Sequence, residues 1–177
     1  MQDFLQLCTR RQSCRNYDGR TVEHEKLEKV MEAARLTPSG CNGQPWSFVV
    51  VEDAKVLPEV VKCAQSMDNN PWADKAGAFI IVVEEPAVLM PQVRKLVDSQ
   101  YFAKGDMGAA CYGITLQAEE LGLGSCIIGI FDRAKLRELL AIPKESPIFI
   151  MIALGYPADD KVREKTRKDL SEIVRYV

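Results

Sequence analysis

Apolar and polar positions follow two rhythms along this chain. Leu27, Val30, Met31 and Ala34 recur at i, i+3, i+4 and i+7, which places them on one face of a helix over residues 23–36. Pro38 and Gly40 stop it. Met107, Ala110, Cys111, Ile114, Ala118 and Leu121 keep the same period in a longer helix over residues 105–121, ended by Gly122. Gly108, Ala109, Ala110 and Gly113 give that helix a low surface that another element can approach closely. Shorter helices are expected over residues 3–12, over 53–65 with Asp53 as its cap, and from Asp132 to residue 140.

The second rhythm is a set of continuous apolar runs of strand length: residues 47–52, 78–83 and 148–154, with a shorter extended piece at 126–130. Runs without polar alternation are buried on both faces, so helices should cover both sides of the sheet they form. The expected fold is an α+β (α/β) sandwich around a small central sheet. Residues 170–177 alternate apolar and polar and read as a last strand. Residues 86–104 have no clear rhythm and read as peripheral, with some helical content.

Composition narrows the class. A chain of 177 residues fits one domain, taken as 1–177. Apolar residues make up 47% and charged residues 27%, a globular balance. A net charge of -2 gives no electrostatic reason to expect nucleic acid or an anionic membrane as partner. The apolar runs fall far short of the roughly 20 residues of a membrane span. Met1-Gln2-Asp3-Phe4 is not the start of an export signal, so a reducing, cytoplasmic setting is expected. Six cysteines stand at 8, 14, 41, 63, 111 and 126 with no Cys-x-x-Cys pair, and the one histidine, His24, lies in a charged stretch. That argues against a zinc site and for free thiols.

Several catalytic signatures fail. Gly122-Leu123-Gly124 follows a helix and precedes a strand, the reverse of a dinucleotide-binding turn. There is no Gly-x-Ser-x-Gly elbow, no P-loop, and no histidine placed to activate a nucleophile. A chain of this size without an acid–base constellation either binds something or leaves the chemistry to a cofactor.

Three segments point to the cofactor. They are Arg11-Gln12-Ser13-Cys14-Arg15-Asn16-Tyr17, then Thr37-Pro38-Ser39-Gly40-Cys41-Asn42-Gly43-Gln44-Pro45-Trp46, then Gly122-Leu123-Gly124-Ser125-Cys126-Ile127-Ile128-Gly129. Their order and spacing resemble those of the nitroreductase family, whose pattern is Arg-Arg-Ser-x-Arg-x-Tyr/Phe, Pro-Ser-x-x-Asn-x-Gln-Pro-Trp and Gly-Leu-Gly-x-x-x-x-Gly. The resemblance implies a mostly antiparallel sheet, an interleaved homodimer and bound FMN. Arg11 and Ser13 match phosphate-binding positions, and Lys165-Thr166-Arg167 resembles a second basic clamp on the phosphate, where arginine forks and lysine charge are both suited. Arg15 matches a cation at the pyrimidine edge, where it favours the anionic reduced ring. Pro38, Ser39, Asn42 and Gln44 match the loop that meets the flavin across the dimer interface. Ile128 and Gly129 match positions beside the ring or phosphate. Gln12 stands where the family often has Arg or His, which weakens one cofactor contact.

The activity so implied is hydride transfer from NADH or NADPH through the flavin to an oxidised acceptor such as a nitroaromatic, quinone or enone, in a ping-pong cycle. No side chain is expected as an obligatory acid or base. No iron–sulfur motif is present, so the electron donor is diffusible. Alternatives on the same scaffold are dehalogenation or flavin destruction, and a non-enzymatic flavin-binding redox sensor that uses Cys14 and Cys41. Asn69 and Asn70 are further candidates for the flavin that the sequence does not position.

Overall fold

The computed structural model describes residues 3–177; Met1 and Gln2, the first two of the expected domain, lie outside the described residues. Four strands form one sheet in the order β1-β2-β4-β3: β1 (Trp46–Val51), β2 (Ala78–Glu84), β3 (Gly124–Ile128) and β4 (Ile148–Gly155). All three pairings are antiparallel. The central strands β2 and β4 carry the longest apolar runs because both of their faces are covered. Phe79, Ile81, Val83, Met151 and Ala153 face a core shared with α3 (Leu57–Ala64) and α6 (Arg133–Leu139). Ala78, Ile80, Val82, Ile152 and Leu154 face the other way, onto α2 (His24–Arg35) and α5 (Ala103–Glu120). Each large side chain buried this way contributes about 1.5–3 kcal/mol.

Local signals set the helix ends. Asp3 accepts from the Leu5 amide at the start of α1 (Phe4–Arg10), and Asp132 accepts from the Lys135 amide at the start of α6. Gly122 at φ 75° turns the chain from α5 into β3. At Gly113 the α2–α5 contact is close: a Cβ there would lie 3.4 Å from the Ala33 carbonyl and from the Thr37 hydroxyl. Gly105 and Gly108, on the open side of α5, have nothing within 4 Å.

Residues 86–104 contain one short helix, α4 (Pro91–Arg94), and the first two residues of α5. The segment is pinned by Gln100, which accepts from the Ala87 amide at 2.7 Å and donates to Glu84 at 2.8 Å.

The expected strand over residues 170–177 is a correction. The chain instead forms a four-residue helix, α7 (Leu170–Ile173), and then runs extended and exposed. Asp169 and Glu172 form a reciprocal capping box that starts the turn.

Candidate functional site

The first motif is threaded into the edge of the fold. Ser13 bridges Ser125 of β3, and the Cys14 amide donates to the Ser125 carbonyl at 2.8 Å. Tyr17, only 1% exposed, anchors the segment in the core and donates its hydroxyl to the Ala153 carbonyl at 3.3 Å. Burial first of all pushes the Tyr17 hydroxyl well above its ordinary range, so it stays protonated as a donor.

This anchoring delivers Arg11 to a cluster of cations. Lys165 donates to the Arg11 carbonyl at 2.5 Å. Partial burial, and then the Arg11 and Arg167 guanidiniums, hold the Lys165 ammonium below the usual lysine range. The Arg11 Nε is buried and, among the described residues, has no hydrogen-bond partner. Like charges gathered around an unsatisfied buried donor are destabilising unless an anion completes them. The donor set of Arg11, Lys165 and Arg167 therefore fits a phosphate.

Gln12 is engaged by the C-terminal segment. Its amide donates to the Lys161 carbonyl at 2.7 Å, and its oxygen accepts from the Arg163 amide and Nε at 3.1 and 3.0 Å. Arg163 also donates to the Ser13 carbonyl at 2.5 Å. The two residues clasp the C-terminal segment onto the first motif and so bring Lys165 to Arg11. Arg163 was not singled out in the sequence, where it sits unmarked in the charged run 161–168.

A cleft of about 500 Å³ lies between this segment, the α5–β3 turn and residues 156–163. It takes in Gln12, Ser13 and the exposed Arg15, but not Arg11, Lys165 or Arg167. Its wall is largely internally paired: Arg10 with Glu119 at 3.2 Å, and Asn16 with Asp159 at 3.0 Å.

The second motif forms a tight loop at residues 39–44. Cys41, Asn42 and Gln44 all have positive φ, at 53°, 54° and 45°. The Ser39 hydroxyl accepts from the Gln44 amide at 3.0 Å, and the Gln44 side chain donates to the Asn42 carbonyl at 3.1 Å. Pro38, Asn42 and Gln44 are exposed, and Pro45 is buried. Gly40 donates its amide to Asp106 of α5 at 3.0 Å.

The residue just before the first motif, Arg10, and Gly40 of the second meet opposite ends of one helix. Arg10 pairs with Glu119 near the end of α5, whereas Gly40 pairs with Asp106 near its start. At 1.5 Å per residue these points are about 20 Å apart along the axis. A single chain thus holds the two halves of the expected site apart.

In the third motif, Ile128 turns its side chain into the core, 3% exposed, and Ile127 is 43% exposed instead. Gly129 is exposed, and its carbonyl accepts from Arg133 at 2.9 Å. Asn70 donates to the Ala64 and Ile130 carbonyls at 2.9 and 3.4 Å, just past Gly129. Asn69 instead bonds within its own turn, to the Ser66 and Met67 carbonyls. Among the described residues, no group of His, Cys, Asp and Glu could hold a metal ion.

Comparison with known proteins places these motifs in a family. A family model described as the nitroreductase family matches residues 8–156. The chain belongs to this family. A relative from Archaeoglobus fulgidus named "Putative NADH dehydrogenase/NAD(P)H nitroreductase" is 34% identical, covering 91% of this chain and 89% of its own. A solved nitroreductase family protein from Clostridium difficile 630 superposes with a TM-score of 0.80 at 31% identity, covering 99% of this chain and 98% of that one. A solved "FMN-dependent Nitroreductase" from Clostridium difficile R20291 gives 0.78 at 26% identity, covering 98% of each chain. The small antiparallel sheet with helices on both faces is the nitroreductase fold.

Within this nitroreductase fold, sequence reasoning missed Asp106 as well as Arg163. An acid in the first turn of a helix is expected for the helix's own sake, so the sequence carried no sign of its partner in another segment.

Proposed function

We propose that this nitroreductase-family chain is an FMN-dependent oxidoreductase that takes electrons from NADH or NADPH and passes them to an oxidised small molecule. The observation that carries the reading is the buried, unpartnered Arg11 Nε beside Lys165 and Arg167. Such a cluster calls for a dianion, and the terminal phosphate of FMN is one. When bound, FMN supplies two-electron chemistry by accepting hydride from the nicotinamide and giving it to an acceptor such as a nitroaromatic, quinone or enone.

The chain's own residues bind, orient and shield. Arg11, Lys165 and Arg167 hold the phosphate, and the Gln12–Arg163 clasp keeps Lys165 in place. Arg15 supplies a fixed positive charge, which favours negative charge on a reduced ring. The loop 39–44 presents Asn42 and Gln44 as polar contacts. Ile128 and Gly129 contribute backbone, since the Ile128 side chain is committed to the core. The acid–base chemistry needs no dedicated side chain in this reading.

The working unit is a homodimer. The clasp of one protomer and the loop of its partner build each site, which accounts for their separation along α5. The open surface suits that arrangement. Trp46, Phe48 and Val50 are only half-buried and, with Met31, form the apolar part of a groove of about 560 Å³ that Glu28, Glu32 and Arg35 also line. Gly105 and Gly108 leave the outer face of α5 low enough for close approach.

The test is an absorbance spectrum of the purified protein with FMN, followed by anaerobic NADH or NADPH. Flavin bands near roughly 370 and 450 nm that bleach on addition support the reductase and identify its donor. Bands that persist leave a flavoprotein without this activity. Failure to bind FMN overturns the reading.

A further inference from the structure

The loop 39–44 holds three non-glycine residues in the left-handed region. Each such residue is conformationally costly, least so for asparagine, and persists only where its surroundings enforce it. The loop's internal bonds tie it to itself. Two supports from outside converge on Gly40, and both come from the start of α5. The Asp106 carboxylate accepts from the Gly40 amide at 3.0 Å. The Phe102 ring lies so close that a Cβ on Gly40 would be 2.9 Å from it. Phe102 is itself backed edge-on by Tyr101, with ring centroids 5.0 Å apart at 89°.

Asp106 is not acting as a cap of its own helix. Its amide already donates to the Phe102 carbonyl at 2.9 Å, and its side chain reaches across to a segment 66 residues earlier. We propose that Asp106, with Phe102 behind it, is a positioning residue for the cofactor loop. The carboxylate fixes Gly40, and Gly40 fixes the left-handed turn that presents Asn42 and Gln44. The effect on FMN rests on the functional reading above; the brace itself does not.

The experiment compares wild type, Asp106→Ala, Asp106→Asn and Gly40→Ala by amide hydrogen exchange without cofactor and by FMN titration. In Asp106→Ala the amides of residues 40–44 exchange about tenfold faster while the sheet amides are unchanged, and the FMN dissociation constant rises about tenfold. Asp106→Asn keeps an acceptor and stays within about threefold of wild type in both readouts. Gly40→Ala must displace the Phe102 ring, so it loosens the same amides with Asp106 intact. Unchanged loop exchange in Asp106→Ala overturns the brace, as does a rise spread over every amide. Faster loop exchange with unaltered FMN affinity overturns the link to the cofactor. If wild type binds no FMN, the flavin reading fails first, and hydrogen exchange alone then decides the brace.

Discussion

The two ends of α5 hold two differently built halves of the proposed cofactor site, each completed in the proposed dimer by the other half from the partner. At the Glu119 end the chain gathers Arg11, Lys165, Arg163 and Arg167 and leaves the buried Arg11 Nε unpartnered among the described residues. At the Asp106 end it holds a strained, exposed turn with little charge. The first half is electrostatically incomplete and the second conformationally demanding. Both conditions are costs to the free protein, and both are suited to a ligand with a phosphate at one end and a polar ring edge at the other. Costs of this kind mark binding sites better than contacts that are already satisfied.

The sharpest way to break the comparison is Arg11→Met. If Arg11 is kept for an anion, the variant loses FMN affinity by about a hundredfold, the loss of a charged hydrogen bond with its fork. The same change leaves the thermal midpoint of the cofactor-free protein unchanged or slightly higher, because it removes an unsatisfied buried donor beside Lys165. Titration and melting of one preparation check both. A large fall in stability with little change in affinity would make Arg11 a structural residue.

Mixing tests whether the halves belong to different protomers. Arg11→Met alone and an Asn42→Ala/Gln44→Ala double variant alone should each bind FMN poorly. Unfolded together and refolded, they form mixed dimers in which one site has both intact halves and the other has neither. About half of the sites in such dimers recover, and with random assortment mixed dimers are about half of the population. Tight FMN sites should therefore return to about a quarter of the wild-type number. No recovery would place both halves of each site in one chain.

Gln12→Ala acts on the clasp and not on the ligand. It removes the bonds to Lys161 and Arg163, so Lys165 is less firmly held. The expected effect is about a fivefold weaker FMN affinity, the size of one net hydrogen bond, with faster proteolysis of residues beyond 158. A Gln12→Arg change, which restores the common family residue, separates the two roles: an affinity above wild type would mean that position 12 faces the ligand after all.

The ordering of these effects reflects what the sequence could and could not express. The sheet is legible because Ile80 and Ile81 sit in an unbroken apolar run of strand length, and the long helices because Leu27 and Ile114 belong to a period that burial of one face imposes. The family motifs single out Arg11, Asn42 and Gln44 as candidates because their order and spacing match the family pattern. The last strand was misread because the alternation over 170–177 is identical whether or not a sheet edge is present to receive it. The third motif gives Ile128 a position along its strand, whereas the pleat decides which face its side chain takes. Arg163 and Asp106 were invisible because their partners, Gln12 and Gly40, lie far off in sequence, and no local pattern encodes a long-range hydrogen bond.

The mildest test is a pH titration of the clasp. In the free protein the Lys165 pKa is lowered from 10.5 by partial burial and by the Arg11 and Arg167 charges. A phosphate dianion bound beside it raises that pKa again, so the complex holds the Lys165 proton more tightly than the free protein does. Binding therefore takes up a proton between the two pKa values. Affinity for FMN is flat below the free-protein pKa and falls, by at most tenfold per pH unit, as pH rises through it. Arginine does not titrate in this range, so Lys165→Arg should remove the decline while preserving the affinity at neutral pH to within severalfold. A decline that survives Lys165→Arg would assign the titration to another group and loosen the tie between Lys165 and the phosphate. A decline that disappears fixes Lys165 at the anion end of the site, where Arg11 alone leaves a buried donor unmatched.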